Sequence, residues 1–267
     1  MAGRIAARFA AARQRGRPAF VAYITVGDPS LAATAEIVGA RERAGVDVVE
    51  LGVPFSDPVI DGPVIQAASA RALAAGTTLS KTFELARAIR RRSELPLVLY
   101  SYLNPILRLG LAEAVRGAAA AGIDGMLTVD LPVGAASEVT RAYRDAGLDP
   151  ICLVTPTTSA ARRARIAEAA GGFLYLVTLR GVTGVKDASA EAAAPMIAEL
   201  RRLTDLPIAV GVGIKRPDQV AAIGRVADAV VVGSALVQVI ADADNSPDLA
   251  ARVERAAAEL VGALPKR

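Results

Sequence analysis

Short apolar runs recur along the chain, and longer segments with helical spacing lie between them. Within each run the apolar residues are nearly continuous, which is typical of strands that are buried on both faces of a sheet. The intervening segments are rich in alanine, and several end at a glycine, which suits the end of a helix. Eight runs fit the strand pattern: PAFVAYITV, VDVVELGV, LPLVLYSYL, IDGMLTVDLP, DPICLVTP, GFLYLVTL, LPIAVGVG and ADAVVVGS.

The alternation of strands and helices predicts the fold class. Buried strands joined by helices form a parallel sheet that the helices cover. Eight such units in 267 residues predict an α/β fold, a single closed (β/α)8 TIM barrel. A doubly wound open sheet is the alternative, although it normally has fewer strands. Because no low-complexity linker divides the chain, we expect one domain over residues 1–267.

The predicted barrel has an additional helix near each end of the chain. The first twenty residues are rich in arginine and lack acidic residues, as transit peptides do. An amphipathic helix that ends at Gly16 is the interpretation that we favour. After the eighth strand, the stretch VVVGSAL predicts a short helix that opens at Ser234.

Composition and charge exclude several classes of function. The net charge is +4, but the arginines are scattered and aromatic residues make up only 4%, which favours solvated helix faces over a nucleic-acid site. The chain has no histidine, which excludes a Ser/His/Asp triad and the common zinc sites. No apolar run reaches the length of a membrane span. We therefore expect no nucleic-acid partner, no membrane partner and no metal.

The single cysteine, Cys152, excludes an internal disulfide and fits the reducing cytoplasm. Its setting, DPICLVTP, is that of a core strand. We expect Cys152 to be a structural thiol.

Two carboxylates flank the exit of the second strand, in VVELGVPFSDPVIDGP. Glu50 lies inside the apolar run, where an ionised carboxylate without a partner is costly. Asp61 follows eleven residues later, beyond a polar loop. This pair suggests proton transfer, because barrel enzymes carry their chemistry where strands end. The polar residues at predicted strand exits are Thr25, Asp28, Glu50, Tyr100, Tyr102, Asp130, Thr155 and Thr178.

Glycines follow the seventh and eighth strands, at the loops where barrels commonly hold a phosphate. Gly211 and Gly213 lie in GVGIKRP, and Gly233 and Ser234 lie in VVVGSAL. The loop RGVTGVKDASA after the sixth strand has the composition of a mobile lid, and also that of an exposed connection. The loop YLNPILRLG after the third strand is too apolar for a solvated rim, which indicates an interface or burial under a neighbouring loop.

Taken together, these motifs resemble the tryptophan synthase alpha subunit family. VELGVPFSDPVIDGP resembles the signature of that family, and the other motifs follow in the same order from Phe20 to Val239: AYITVGDP, SYLNPIL, VDLPV, LVTPTT, RGVTG, GVGI and ADAVVVGSALV.

The resemblance implies retro-aldol cleavage of indole-3-glycerol phosphate to indole and glyceraldehyde 3-phosphate. Glu50 would be the acid/base and Asp61 would hold the indole N–H. The implied substrate and phosphate residues are Tyr23, Tyr102, Tyr175, Thr183, Gly184, Gly211, Val212, Gly213, Gly233 and Ser234. The implied lid and partner residues are Asp57, Leu103, Asn104, Pro105, Asp130 and Arg180.

The resemblance also implies a partner. Two alpha and two beta subunits would form a heterotetramer, in which the beta subunit uses pyridoxal phosphate to make tryptophan from the indole. This chain itself would carry no cofactor. A free-standing lyase and a non-catalytic activating subunit are the alternatives.

The chemistry sets different requirements for the two carboxyl groups. Desolvation should raise the pKa of Glu50 so that it can give and take a proton, whereas Asp61, on a polar loop, should stay ionised. None of the four lysines lies in a predicted strand, which disfavours a Schiff-base aldolase, with Lys215 after the seventh strand the nearest candidate. Another phosphate-binding barrel enzyme, such as an isomerase, would not need the pair. Val212, Ile60, Thr178 and Arg180 depart from what the family commonly shows.

Overall fold

The computed structural model describes residues 3–131, 137–177, 190–211, 213–243 and 246–266. Eight parallel strands pair in chain order, and the first pairs with the last to close a barrel. The predicted (β/α)8 fold is therefore confirmed. The strands are β1 (Ala19–Thr25), β2 (Val48–Gly52), β3 (Leu97–Ser101), β4 (Gly125–Thr128), β5 (Asp149–Val154), β6 (Leu174–Val177), β7 (Ile208–Gly211) and β8 (Ala229–Val232).

Helices surround the barrel and follow each strand within the described ranges. Local sequence explains several of their starts: Ser30 and Thr78 accept capping hydrogen bonds from the backbone, and two helices begin with a proline. The helices are α1 (Arg4–Gln14), α2 (Leu31–Arg43), α3 (Pro63–Ala74), α4 (Leu79–Arg90), α5 (Leu103–Leu109), α6 (Leu111–Ala120), α7 (Ser137–Asp145), α8 (Ala160–Ala169), α9 (Ala190–Leu200), α10 (Pro217–Gly224), α11 (Ser234–Asp242) and α12 (Leu249–Gly262). None of these helices is long and apolar enough to cross a membrane.

The structure differs from the sequence prediction after β3. The segment predicted as a loop is helix α5, which begins at Leu103. Pro105 is tolerated because it lies in the first helical turn, where its missing N–H would have no partner within the helix. The side chain of Asp130 accepts a hydrogen bond of 2.7 Å from the backbone N–H of Leu103. Asp130 thus fixes the start of α5 on the rim of the barrel.

Strand alternation separates an inner layer of side chains from an outer one. On β2, Val49 and Leu51 pack in the outer layer with the helices, whereas Val48 packs in the barrel interior. Glu50 shares the inward face with Val48, because residues two apart on a strand point to the same side. Cys152 packs in the outer layer of β5, where burial raises the pKa of its thiol to about 11. The prediction that Cys152 is a core residue is confirmed.

The predicted N-terminal helix is present and closes one end of the barrel. Helix α1 inserts Ile5, Phe9 and Ala12 into the interior cluster of the barrel. Phe9 stacks on Phe173, just before β6, with ring centroids 5.5 Å apart. Gly16 adopts a positive φ of 68°, two residues after the helix ends. Apolar side chains fill this end of the barrel, and the candidate polar residues lie toward the opposite end, where the strands finish.

Candidate active site

Glu50 is a buried carboxyl group in the barrel interior. Glu50 is 1% exposed, and the Oε1 atom of its carboxyl group has no hydrogen-bond partner among the described residues. Burial raises the pKa of Glu50 to about 8, because a charged carboxylate loses the stabilisation that water gives it. The predicted desolvation of Glu50 is confirmed. At neutral pH this group is mostly protonated. Its pKa lies close enough to neutral pH for it to both give and take a proton.

Asp61 lies on the loop between β2 and α3, under two tyrosines from the end of β3. The hydroxyl of Tyr100 donates to Oδ1 across 3.0 Å, and that of Tyr102 donates to Oδ2 across 3.1 Å. The Tyr102 hydroxyl also accepts the backbone N–H of Ile60, which ties the loop to β3. Both carboxylate oxygens are therefore oriented by phenol groups.

The surroundings of Asp61 differ from the sequence prediction. The loop sequence predicts a polar setting for this carboxylate, whereas Asp61 is half-buried in the structure. Burial raises the pKa of Asp61, and the hydrogen bonds from Tyr100 and Tyr102 oppose that rise. Burial thus raises both carboxyl pKa values. The two groups differ because Asp61 has two hydroxyl donors, which stabilise its ionised form.

Four of the five tyrosines of the chain converge on these carboxyl groups. Tyr23 packs edge-on against Tyr100 with ring centroids 5.0 Å apart. Tyr175 is buried, and after burial the negative charges of Glu50 and Asp61 are the causes that raise its pKa. The sequence predicts Tyr23, Tyr102 and Tyr175 as substrate-binding residues, and Tyr100 only as a polar residue at the exit of the third strand. The alternation of β3 indicates more, because Tyr100 shares the inward face with Val98.

Two glycines make room for the aromatic rings. A Cβ on Gly52 would lie 2.2 Å from the hydroxyl of Tyr23, and one on Gly211 would lie 2.2 Å from the hydroxyl of Tyr175. Any side chain at either position would displace a tyrosine from the mouth. Gly211 was predicted as a substrate-binding residue, and the structure gives it this packing role.

The loops after β7 and β8 carry the predicted phosphate-binding residues. Gly213 adopts a positive φ of 82°, a conformation that favours glycine. Gly233 is the N-cap of α11, and Ser234 is its first residue, so the predicted short helix is present. The N-terminus of α11, with its favourable dipole for anions, therefore lies where β8 ends. Tyr23 lies 3.5 Å from the position that a Cβ on Gly233 would occupy.

Within the described ranges, the predicted partner and lid residues lie on the rim around this mouth. Asp57 is exposed and accepts a hydrogen bond of 2.5 Å from the Ser56 hydroxyl. In α5, Asn104 is exposed, whereas Leu103 and Pro105 are half-buried.

Exposed apolar side chains lie on the same two rim segments. Val59 is 82% exposed, Ile60 is 54% exposed and Leu107 is 51% exposed. Ile106, in contrast, is fully buried beneath α5. The apolar loop predicted after the third strand is thus partly core and partly exposed surface.

Several predicted residues fall outside the described ranges, namely Thr178, Arg180, Thr183, Gly184 and Val212. Lys215 is exposed on the loop before α10, which does not support a Schiff-base role in the mouth. Within the described ranges, no three carboxylate or cysteine side chains form a group that could hold a metal ion.

Comparisons with known proteins agree with this geometry. A family model described as tryptophan synthase alpha chain matches residues 9–264. The tryptophan synthase alpha chain of Halorhodospira halophila is 49% identical over 95% of this chain and 93% of that protein. That of Alkalilimnicola ehrlichii is 48% identical over 97% of this chain and 94% of that protein.

Solved structures show the same similarity. The alpha subunit of tryptophan synthase from Legionella pneumophila superposes with a TM-score of 0.90 at 34% identity, and the match covers 98% of each chain. A structure of tryptophan synthase from Mycobacterium tuberculosis superposes with a TM-score of 0.89 at 33% identity, and the match covers 99% of each chain.

Proposed function

Because the chain belongs to the tryptophan synthase alpha chain family, we propose that it cleaves indole-3-glycerol phosphate to indole and glyceraldehyde 3-phosphate. This is a carbon–carbon lyase reaction of tryptophan biosynthesis. The observation that carries the proposal is the buried carboxyl group of Glu50, whose pKa of about 8 keeps it protonated at neutral pH. A second carboxylate, Asp61, lies in the same mouth.

The first step needs an acid. Glu50 delivers its proton to C3 of the indole ring, which leaves positive charge on the ring, much of it at the ring nitrogen. Burial keeps this proton available at neutral pH, because the neutral acid is the stable form of Glu50 in the barrel interior. The Glu50 carboxylate that results is then in an environment that strongly favours taking a proton back.

The second step needs a base. The Glu50 carboxylate takes the proton of the side-chain hydroxyl on the carbon attached to C3. The electrons of that O–H bond form the aldehyde C=O, the carbon–carbon bond breaks, and its electron pair returns to the ring to restore indole. Glu50 ends protonated, so one group serves as acid and base in turn.

Asp61 stabilises the charge that develops between these steps. An ionised carboxylate that accepts the indole N–H interacts more strongly with the ring cation than with neutral substrate, and so lowers the barrier. Tyr100 and Tyr102 support this role, because their hydroxyls orient both oxygens of Asp61 and favour its ionised form.

The phosphate of the substrate is proposed to bind at the N-terminus of α11, near Gly213, Gly233 and Ser234. Backbone N–H groups and the helix dipole favour an anion there. Val212, Thr183 and Gly184 are proposed to complete the pocket. Tyr23 and Tyr175 would form its walls between the phosphate end and the carboxyl groups.

We further propose that a tryptophan synthase beta subunit, which would hold pyridoxal phosphate, docks on the rim in a heterotetramer of two alpha and two beta chains. The exposed apolar side chains of Val59, Ile60 and Leu107 support a protein partner at this face. Asp57, Asp130 and Arg180 are proposed to contact the partner or the lid. Because indole is apolar, a covered mouth would pass it onward without loss. The cytoplasm is the proposed location.

The proposal is tested by incubating the purified chain with indole-3-glycerol phosphate, with and without a beta subunit. Released indole is uncharged, so it is extracted into an organic solvent, away from the anionic substrate, and then quantified. We expect equal amounts of indole and glyceraldehyde 3-phosphate, and a faster rate with the partner. A folded chain that releases no indole in either condition would refute the proposal.

A further inference from the structure

Arg41 is a fully buried cation in the outer layer of the barrel. Its exposed fraction is 0%, although the scattered arginines of the sequence predict solvated helix faces. Other arginines that are mostly buried, or that have a buried partner, form ion pairs: Arg17 with Asp47, Arg71 with Asp28 and Arg90 with Asp124. Arg41 forms no such pair with any described residue, and burial lowers its pKa to about 9. It therefore carries a buried charge that no described carboxylate offsets.

The contact that Arg41 does make is with the backbone of β1. Its Nη1 donates a hydrogen bond of 2.7 Å to the carbonyl of Tyr23, while Nε and Nη2 have no partner among the described residues. The Ala19 N–H donates a hydrogen bond to the backbone carbonyl of Asp228, just before β8. The odd-numbered residues of β1 therefore turn their backbone N–H and C=O groups toward β8. The ladder with β8 ends at the pair Ala22 and Val232. Arg41 thus supplies a donor to the first carbonyl beyond that ladder.

The position of Tyr23 connects this contact to the site. Tyr23 is the register partner of Glu50 on β2. Its ring occupies the space that a side chain on Gly52 would need, and it lies against Gly233 at the start of α11. The guanidinium of Arg41 therefore lies directly behind the strand residue that separates the buried acid from the proposed phosphate end.

We propose that Arg41 is a positioning residue for the phosphate of the substrate, acting through the backbone of Tyr23 and through its own uncompensated charge. The inference rests on the proposed function in one respect, since it assumes that an anion binds at the N-terminus of α11. The charge acts across a barrel wall of low polarity, where screening is weaker than in water. Arg41 does not touch the phosphate.

The energetics distinguish this role from a purely structural one. Replacing Arg41 with an apolar side chain removes the cost of burying an unpaired charge, which offsets the loss of its hydrogen bond to the Tyr23 carbonyl. If Arg41 served stability alone, an apolar replacement of similar length would have no functional effect beyond unfolding. If Arg41 serves phosphate binding, the same replacement weakens binding in a folded protein.

The test compares Arg41→Met, Arg41→Lys and the wild type. Binding of inorganic phosphate is measured by calorimetry, binding of uncharged indole by fluorescence, and the melting temperature by circular dichroism. We expect Arg41→Met to bind phosphate about fivefold more weakly, which corresponds to a charge that acts at a distance. Arg41→Lys should fall between the wild type and Arg41→Met, because it keeps a donor for the Tyr23 carbonyl, whereas a buried lysine gives up its charge more readily than an arginine. Indole affinity should be unchanged, and the melting temperature of Arg41→Met should change little, because relief of the buried charge offsets the loss of the donor to the Tyr23 carbonyl.

A control is Arg90→Met, which removes another arginine of low exposure at the opposite end of the barrel, where it pairs with Asp124. This variant should lower the melting temperature and leave phosphate affinity unchanged. Equal phosphate binding by Arg41→Met and the wild type would overturn the inference. So would a wild type that binds no phosphate, or a variant that loses phosphate and indole together as its melting temperature falls. Cleavage of indole-3-glycerol phosphate is assayed in parallel. A wild type that binds phosphate in an Arg41-dependent way but releases no indole would refute the proposed function and leave this inference standing.

Discussion

Tyr100 donates a hydrogen bond of 3.0 Å to the Oδ1 of Asp61, a residue 39 positions earlier in the chain. The bond joins the end of β3 to the loop after β2. Tyr102 donates to Oδ2, so each carboxylate oxygen of Asp61 accepts a hydrogen bond from a phenol group. In the proposed reaction the same carboxylate must also accept the indole N–H, which is possible because each ionised carboxylate oxygen can accept more than one hydrogen bond.

Replacing Tyr100 with Phe tests this bond. The variant keeps the ring but loses the donor, so the ionised form of Asp61 is less stabilised and its pKa rises further. A group with a higher pKa becomes protonated at a higher pH, so the acid limb of the pH profile of kcat/KM should move upward. At neutral pH we expect kcat/KM to fall about tenfold, the effect of about 1.5 kcal/mol from one hydrogen bond to a charged group.

Tyr143→Phe is the control for Tyr100→Phe. Tyr143 is the tyrosine outside the site, and its hydroxyl shares a hydrogen bond of 2.9 Å with the Thr128 hydroxyl. The control should lose some stability and keep the wild-type pH profile. An unchanged acid limb in Tyr100→Phe would contradict the proposed role of the bond.

The buried state of Glu50 predicts how stability depends on pH. The pKa of Glu50 is about 8 in the folded protein and about 4.3 in an unfolded chain. Between these values the unfolded chain has released the proton while the folded protein retains it, so Glu50 destabilises the fold progressively as pH rises from about 4.3 to about 8. Glu50→Gln removes this effect. Its stability relative to the wild type should grow across that window and level off above it.

Urea unfolding of both proteins at several pH values measures this difference. The comparison cancels the contributions of all other titrating groups, because they are the same in both chains. A constant difference across the window would show that Glu50 is not desolvated as described.

Gly52→Ala tests the packing of the mouth. The added Cβ would lie 2.2 Å from the hydroxyl of Tyr23, so the ring must move or the strand must shift. We expect a loss of about 1–3 kcal/mol in the free energy of unfolding and a higher KM. Gly262→Ala is the control, because no atom lies within 4 Å of its added Cβ. Unchanged stability and KM in Gly52→Ala would contradict the assigned packing.

Leu107→Asp tests the proposed docking face. Leu107 is half exposed, so an aspartate there should leave folding and the activity of the isolated chain unchanged. A charge buried in an apolar interface is costly, so activation by the beta subunit should require at least about tenfold more partner.

The control for the docking face is Leu203→Asp, at an exposed apolar residue just beyond the end of α9. It should keep the wild-type response to the beta subunit. Identical responses from Leu107→Asp and the wild type would place the interface elsewhere.

Most of the fold could be predicted from the sequence, because continuous apolar runs and glycine-terminated helices are local signals. The position of Glu50 could be predicted for the same reason, since a carboxylate inside such a run is conspicuous. Helix α5 was wrongly predicted as a loop, because Pro105 suggests a break unless its place in the first turn is known. The start of α5 also depends on Asp130, which comes from a different strand.

Contacts between distant segments could not be predicted. The half-burial of Asp61 depends on tyrosines from β3, and the loop sequence alone contains no sign of them. Arg41 resembles any other helical arginine in the stretch GARERAG, and only the packing of α2 on β1 shows that it is buried. In each case the deciding partner lies at least eighteen residues away along the chain.

The central claim is that Glu50 moves the proton, and single-turnover cleavage of indole-3-glycerol phosphate by Glu50→Gln tests it most directly. The amide keeps the shape of the side chain but cannot give and take a proton. We expect Glu50→Gln to keep its phosphate affinity and to melt at or above the wild-type temperature. We expect its rate of indole release to fall by about 10²–10⁴-fold. A folded Glu50→Gln protein that releases indole at the wild-type rate would contradict the account.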